Sequence, residues 1–115
     1  MALPMYISGL YTFEDGWTVS IVGGFGKYST PSQDCSVWTE MEFGYPSSRE
    51  PLIEKYVDGY SGEVWDDELD DYRERTPEEM ENFFTKNVYA WVPVRLIPLL
   101  EEKHGKIVSI KPYHR

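Results

Sequence analysis

Short runs of β-forming residues, separated by turns rich in glycine, proline and acid, occupy most of this chain. The first run, "MYISGLYTF" at 5–13, and the second, "WTVSIVG" at 17–23, flank the pair Asp15-Gly16. In the second run apolar residues alternate with Thr and Ser, which is typical of a strand with one buried face. Because glycine accepts the positive φ of a tight turn, Asp-Gly between two such runs predicts an antiparallel hairpin.

The clearest alternation lies in "SVWTEMEFG", which predicts a strand over 36–43 with two different faces. One face carries Val37, Thr39, Met41 and Phe43, and the other carries Trp38, Glu40 and Glu42. A last strand is predicted over 106–110, and "VYAWV" is either a buried strand or an extended link. Together with the first hairpin, over 5–12 and 17–22, these runs predict a sheet of about four strands.

A helix start is encoded in Thr76-Pro77-Glu78-Glu79, which has the pattern of a capping box. In such a box the Thr side chain bonds the amide of Glu79, and the Glu79 carboxylate bonds back to the amide of Thr76. Proline is also well suited to the first helical position. A helix is therefore predicted over 77–86.

A second helix is predicted from Pro98 to His104, closed by Gly105, because glycine often follows the last helical residue. His104 would lie at the end of this helix, where the helix dipole favours a cationic side chain, so a structural role is expected for it. "LIEKYV" is either a short helix or an extended piece. The sum is an α+β fold, an antiparallel sheet of about four strands with two or three short helices on one side.

Length and composition fit one compact domain over 1–115. With 115 residues, 41% of them apolar, the chain can fold around a single core. Its single cysteine, Cys35, cannot form an internal disulfide. "MALPMYISGL" lacks the basic start and long apolar run of a signal peptide, and no stretch approaches the ~18 apolar residues of a membrane span. A cytoplasmic protein with no membrane contact is expected.

Two stretches come close to known binding motifs without matching them. In "GGFGK" the spacing before Lys27 is too short for a phosphate-binding loop, and Tyr28 stands where Ser or Thr is required. Counted from Asp66, an EF-hand calcium loop needs Gly and Glu where the chain has Asp71 and Pro77, which leaves only weak, nonspecific binding of divalent ions. No catalytic residue, cofactor or specific metal site is therefore expected, and the chain is not predicted to be an enzyme.

The negative charge of the chain is concentrated in one segment. The net charge of the chain is −9. We call residues 63–81 the acidic segment, because they hold ten acidic and two basic residues. Residues 82–115, in contrast, hold two acidic and six basic residues. An acidic face repels phosphates, so direct binding of nucleic acid is not expected. A basic protein surface is the partner that this charge favours.

Large apolar side chains are interleaved with these acids, which is not typical of a purely solvating charge run. If the segment is helical, Trp65, Leu69 and Tyr72 form one stripe and the acids crowd the other faces. Crowded like charges are destabilising, which suggests that they serve a partner; the alternatives are a loop, or a face that only keeps the protein soluble. The predicted partner-binding residues are Trp65, Asp66, Asp67, Glu68, Asp70, Asp71, Tyr72 and Glu74.

Aromatic anchors ringed by charge are typical of protein–protein contacts. Exposed basic grooves occur mostly on proteins that bind nucleic acid, so a nuclease complex is one expected partner. In size, acidity and compactness the chain resembles small phage-encoded inhibitors of host defence, anti-CRISPR proteins among them. Several of these are DNA mimics, so the resemblance implies a protein that blocks a nucleic-acid-binding site. Since the acid is confined to one region here, blocking of one site is expected rather than imitation of a long duplex.

A second interpretation is a small phage or plasmid accessory or assembly module that acts as a homodimer. Exposed strand edges would serve self-association, and the basic tail of one copy would meet the acidic segment of another. A salt-sensitive complex with a nucleic-acid enzyme would favour the inhibitor, whereas salt-dependent self-association without such a partner would favour the assembly module.

Overall fold

The computed structural model describes residues 6–35 and 37–113, so the predicted strand starts at Met5 and Ser36 lie outside the described residues. The fold is α+β with antiparallel strands, as predicted, but it contains more strands than expected. In chain order the strands are β1 (Gly9–Phe13), β2 (Thr18–Val22), β3 (Glu40–Gly44), β4 (Glu63–Asp66), β5 (Asp71–Glu74), β6 (Val88–Pro93) and β7 (Ile107–Pro112). Five of them form the main sheet in the order β6-β3-β2-β1-β7, while β4 and β5 form a separate hairpin.

The first hairpin has the turn that Asp15-Gly16 predicts. Gly16 has a φ of 92°, and its amide donates to the carbonyl of Phe13 at 2.9 Å. The Asp15 side chain accepts a hydrogen bond from the amide of Trp17 at 2.9 Å. Beyond the turn, β1 and β2 pair from Thr12 and Thr18 onward, which buries the apolar face of β2 as its alternation predicts.

Trp38 is buried, whereas the alternation placed it on the polar face with Glu40 and Glu42. The reason is that β3 begins only at Glu40, so Trp38 lies in the preceding loop. In a loop, successive side chains do not alternate between two faces as they do in a strand. Its ring covers Gly23 so closely that a Cβ on Gly23 would stand 2.5 Å from a ring carbon. The close approach of this backbone to the indole is what requires glycine there.

The two α-helices are α1 (Pro77–Thr85) and α2 (Ile97–His104), and short 3-10 turns cover Glu54–Tyr56 and Val94–Leu96. The capping box at the start of α1 is confirmed. The Glu79 amide donates to the Thr76 hydroxyl at 3.2 Å, and the Thr76 amide donates to the Glu79 carboxylate at 2.9 Å. Proline lies in the first turn of both helices, where its missing N–H is not needed.

Replacement of Thr76 by Ala is expected to lower the free energy of unfolding by ~1 kcal/mol, because the Glu79 amide loses its acceptor. Chemical denaturation of the parent and the variant measures this difference. Thr76→Ser, which keeps the hydroxyl, is the matched control and should behave like the parent. An unfolding midpoint that does not change in Thr76→Ala would contradict the role of this cap.

The core lies between one face of the main sheet and residues of both helices. Phe84 of α1 and Ile97 and Leu100 of α2 belong to the same buried cluster as the inward residues of the strands. These are Tyr11, Phe13, Val19, Ile21, Met41, Phe43, Tyr89 and Val92. Within the described residues, neither helix has the length and apolar character needed to cross a membrane.

A buried charge network joins α2 to the loops of the sheet. Glu50 is completely buried, and its carboxylate faces His104 Nε2 at 2.6 Å and Lys103 Nζ at 3.0 Å. The other ring nitrogen of His104 lies 2.5 Å from the Asp15 carboxylate. The imidazole also stacks on Trp17, with ring centroids 4.5 Å apart and planes at 9°. This network connects distant parts of the chain through one side chain at the end of α2.

The pKa values of both acids in this network are lowered. Burial raises the pKa of Glu50, but the hydrogen bonds from the Leu52 amide, His104 and Lys103 outweigh burial and keep that pKa below its ordinary 4.5. The Trp17 amide, and after it His104, lower the pKa of Asp15 below its ordinary 3.8. Both carboxylates therefore release their protons more readily in the folded protein than in the unfolded chain.

From these shifts we expect the protein to lose stability in acid. As pH falls through the ordinary carboxyl range, the unfolded chain takes up protons before the folded protein does, which favours unfolding. The contribution of Asp15 and Glu50 is complete above that range and is lost as pH falls through their lowered folded values. Thermal unfolding midpoints measured from about pH 7 down to about pH 3 test this expectation. A midpoint that stays constant over the acidic part of that range would contradict it.

Candidate functional site

The acidic segment begins as a β-hairpin and not as the helix or loop considered from the sequence. We call residues 63–74 the acidic hairpin. Strands β4 and β5 pair antiparallel, with Trp65 opposite Tyr72 and Asp66 opposite Asp71. The helical stripe that would include Leu69 therefore does not form. Unlike the strands of the main sheet, β4 and β5 pair only with each other among the described strands.

The turn of the acidic hairpin is shaped by two of its own aspartates. One oxygen of the Asp66 carboxylate accepts hydrogen bonds from the amides of Glu68 at 2.9 Å and Leu69 at 3.2 Å. Asp70 has a φ of 53°, a left-handed conformation that Asp tolerates better than most residues. Short acidic side chains at these two positions thus direct the chain into a turn, which explains why residues 63–74 form a hairpin and not a helix.

One face of the hairpin presents an aromatic pair to solvent. The rings of Trp65 and Tyr72 are 5.3 Å apart with an edge-to-face angle of 83°, and the two residues are 50% and 61% exposed. The Trp65 indole donates to the Asp67 carboxylate at 2.9 Å, which restrains the orientation of the ring. Leu69 at the tip is 63% exposed. The predicted anchors Trp65 and Tyr72 therefore meet across the strands on an accessible surface.

The acids of the hairpin are exposed, apart from a half-buried Asp66. They are Glu63, Asp67, Glu68, Asp70, Asp71 and Glu74. Among the described residues, no side chain or amide donates to the carboxylates of Glu68, Asp70 or Glu74. Two cross-strand pairs, Glu63 with Glu74 and Asp66 with Asp71, bring like charges directly opposite each other, which destabilises a hairpin.

Arg73 connects the opposite face of the hairpin to α1. Its Nε donates to the Asp66 carboxylate at 2.9 Å, and its two terminal nitrogens donate to Glu79 at 2.7 and 3.0 Å. The Arg73 side chain, and after it the Thr76 amide, lower the pKa of Glu79 to about 2. The Leu69 amide and the Arg73 side chain lower the pKa of Asp66. Asp66 is thus the predicted site residue that the protein uses to hold the hairpin in place.

Arg75 makes a second connection at the base of the hairpin. Its amide donates to the Gly62 carbonyl at 2.9 Å and its Nε donates to the Ser61 carbonyl at 2.6 Å. Its guanidinium lies over the Phe83 ring of α1, 4.7 Å from the centroid. The sequence-based prediction of partner-binding residues included neither Arg73 nor Arg75. The signal that it missed is their spacing of two in "DYRER", which puts both on one face of an extended strand.

Replacement of Arg73 by Met is expected to loosen the acidic hairpin while the main sheet stays folded. An isolated two-stranded hairpin is marginally stable in water, so its order depends on this connection to α1. Amide hydrogen exchange should become faster for residues of β4 and β5 and remain unchanged for β1, β2 and β3. Lys27→Met, which removes a cation elsewhere, is the control. Unchanged protection of β4 and β5 in Arg73→Met would show that the hairpin is ordered without this contact.

Comparisons with protein-family models, with curated proteins and with solved structures find no match for this chain. The chemistry that the acidic hairpin offers is an exposed aromatic pair, exposed carboxylates and a connection to α1 through Arg73.

Proposed function

We propose that this protein is a small acidic binding protein whose hairpin docks on a basic surface of a partner protein and blocks it. The observation that carries the proposal is the exposed pair of Trp65 and Tyr72, ordered by contacts within a hairpin that also carries exposed carboxylates. Aromatic side chains that are preorganised and surrounded by charge have the composition of binding hot spots. The cross-strand pairs of like charge support the same conclusion, because a basic partner would relieve their repulsion.

The partner that fits best is a protein with a basic groove for nucleic acid, such as a nuclease complex. Carboxylates at the tip of the hairpin would contact the Arg and Lys side chains that otherwise bind phosphates. A protein acting in this way would work as the phage-encoded inhibitors of host defence do, anti-CRISPR proteins among them, with DNA mimicry restricted to one site. The hairpin itself would not bind nucleic acid, because its charge repels phosphates.

The proposal refines the set of residues expected to contact the partner. Asp66 already bonds Arg73 and two turn amides, so its replacement would disturb the hairpin itself. Four carboxylates at the tip keep at least one oxygen for a partner: Asp67, Glu68, Asp70 and Asp71. Asp67 and Asp71 use their Oδ1 for the Trp65 indole and the Tyr72 amide, and Asn at either position keeps that acceptor. A variant in which these four become Asn or Gln tests the surface without removing the Arg73 connection.

The experiment compares this tip variant with a control that has the same net charge. The control neutralises four exposed acids outside the hairpin: Asp58, Glu78, Glu81 and Glu102. Each protein is immobilised and used to capture partners from a bacterial cell lysate at low and high salt. Duplex DNA is then added to the captured proteins. At low salt we expect the parent and the control to capture a nucleic-acid-binding protein, and we expect DNA to displace that protein. The tip variant should not capture it. Equal capture by the tip variant would show that the hairpin does not bind the partner and only keeps the protein soluble.

The open edge of β7 favours a second candidate, self-association as an assembly module. Val108, Ile110 and Tyr113 are 60%, 37% and 46% exposed along this edge, next to Lys106 and Lys111. A bulge in the pairing with β1, Lys111 and Pro112 are features that protect a strand edge from further pairing, so the inhibitor is the better-supported function. Sedimentation of the purified protein at low and high salt distinguishes the two, since only an assembly module dimerises without a partner.

A further inference from the structure

Strand β6 contains a bulge that holds a tryptophan in an unusual conformation. Met41 and Phe43 of β3 are two positions apart, whereas their partners on β6, Val92 and Tyr89, are three positions apart. Strand β6 therefore contains one extra residue between these pairs. Within the bulge Trp91 has a φ of 50°, a region that glycine normally occupies in such bulges and that is unfavourable for a bulky residue. Trp91 is also 48% exposed, so burial does not compensate for the strain. Strain of this kind is found most often at functional sites.

The strained Trp91 forms an aromatic pair with Tyr28. The two ring centroids are 5.1 Å apart and the planes are inclined by 48°. The Trp91 amide donates to the Tyr28 carbonyl at 3.1 Å, so the bulge and the loop that carries Tyr28 hold each other in position. Tyr45 has a similar φ of 51°, but among the described residues it has no aromatic neighbour. The combination of strain and a facing ring distinguishes Trp91.

A carboxylate with an open oxygen completes this cluster. Glu42 lies on β3 opposite the bulge, and its Oε1 accepts a hydrogen bond from the Tyr28 amide at 3.2 Å. Among the described residues nothing donates to its Oε2. Two exposed aromatic rings and an available carboxylate oxygen therefore lie together on the surface.

The protein covers three aromatic rings with its own cations but leaves the rings of Trp91 and Tyr28 uncovered. Arg49 lies over Phe84, Lys55 over Tyr56 and Arg75 over Phe83, at 4.4, 5.3 and 4.7 Å from the ring centroids. Within the described part of the chain no Lys or Arg lies over Trp91 or Tyr28 in this way. The ring faces thus remain available to a cation from outside, and the net charge of −9 favours its approach.

We propose that Tyr28, Trp91 and Glu42 form a receptor for an arginine side chain of a partner protein. A guanidinium is planar, so it stacks on the rings while its N–H groups donate to the Glu42 carboxylate, a combination that an ammonium group makes less well. The receptor is separate from the acidic hairpin and does not depend on the function proposed for it. In a complex with a basic partner it would add a second, directional contact.

The experiment uses the indole N–H signals of ¹⁵N-labelled protein, which has four tryptophans. The probe is N-acetyl-arginine methylamide, and the matched control is the citrulline analogue, which has a similar shape but no charge. We expect the Trp91 signal to shift and to saturate with arginine in the millimolar range, with at least about fivefold weaker binding of citrulline. The buried Trp17 and Trp38 signals should not shift. The Trp65 signal shows separately whether the probe also binds at the acidic hairpin, and the function proposed for the hairpin is tested by its own capture experiment.

Two variants complete the test. Glu42→Gln keeps an acceptor for the Tyr28 amide but removes the charge, and it should weaken arginine binding about fivefold. Trp91→Gly lacks the reporting indole, so its binding is followed at the backbone amide of Tyr28, which donates to Glu42. This variant should not bind arginine, while its unfolding midpoint stays the same or rises, because glycine relieves the strain at this φ. Equal binding of citrulline, or unchanged affinity in Glu42→Gln, would overturn the proposal. A clear fall in the midpoint of Trp91→Gly would also count against it, since Trp91 would then serve packing and not recognition.

Discussion

Replacement of His104 by Ala is expected to lower the free energy of unfolding by about 3 kcal/mol. This loss is larger than the one expected for replacement of Thr76 or of Lys103 by Ala. The reason is Glu50, which is completely buried and whose Oε1 lies 2.6 Å from the imidazole. Removal of one partner leaves a buried charge that is poorly compensated, which costs more than the pair contributes when intact. Loss of the stacking on Trp17 adds to the effect.

Lys103→Ala is the matched control for this prediction. Lys103 contacts the second oxygen of the same Glu50 carboxylate at 3.0 Å, but its side chain is 47% exposed. Its loss is expected to cost ~1 kcal/mol or less, because water replaces an exposed partner. Denaturant unfolding of both variants measures the difference. Equal costs would show that the imidazole has no special role in compensating Glu50.

A double-mutant cycle with Glu50→Gln separates the charge from the packing. In the Glu50→Gln background the buried side chain at position 50 is uncharged, so His104→Ala should cost much less than in the parent. The residual cost then measures the stacking of His104 on Trp17. If the cost is the same in both backgrounds, the loss of stability comes from packing alone and the explanation by a stranded carboxylate is wrong.

Replacement of Trp65 by Ala is expected to weaken binding of the proposed partner by ~2 kcal/mol, or roughly 30-fold, mainly through faster dissociation. An anchor that is buried on binding contributes to the lifetime of a complex, whereas charges around it act mainly on the association rate. The tip variant, in which Asp67, Glu68, Asp70 and Asp71 are neutralised, should therefore show the opposite pattern. Its association should be slower and less sensitive to salt, with a smaller change in dissociation.

Phe25→Ala is the control for the loss of an exposed aromatic ring. Phe25 is 87% exposed and lies in the loop after β2, outside the acidic hairpin. Surface plasmon resonance with the captured partner should give parent-like kinetics for this variant. Hydrogen exchange in β4 and β5 must also be unchanged in Trp65→Ala, so that a lost anchor is distinguished from a lost hairpin. If a folded Trp65→Ala variant dissociates at the same rate as the parent, Trp65 is not part of the binding surface.

The elements that were predicted correctly depend on local chemistry. The Asp15-Gly16 turn, the capping box at Thr76 and the helix end at Gly105 are each specified by a few neighbouring residues. The alternation of apolar and polar residues in β2 and β3 likewise indicates directly which face is buried. Such signals determined the α+β class and most strand positions, because turns, caps and periodicity need no knowledge of distant parts of the chain.

The acidic segment shows where local reasoning was insufficient. Its composition indicated a candidate surface with Trp65 and Tyr72 as proposed anchors, but the spacing of apolar residues also fitted a helix. The hairpin is selected by the turn that Asp66 and Asp70 form, and by Arg73, which reaches Glu79 of α1. That contact requires α1 to be in place, so the conformation of the segment follows from tertiary structure.

The sequence by itself determined the fold class, the helix caps and the concentration of acid, because these properties reside in adjacent residues. Only the tertiary structure decided which charges are exposed and which are internal. It brought His104 to Glu50 and Asp15, residues far apart in the chain, and Tyr28 to Trp91 and Glu42. Burial and ion pairing are properties of neighbours in space, and the pairing of strands chooses those neighbours.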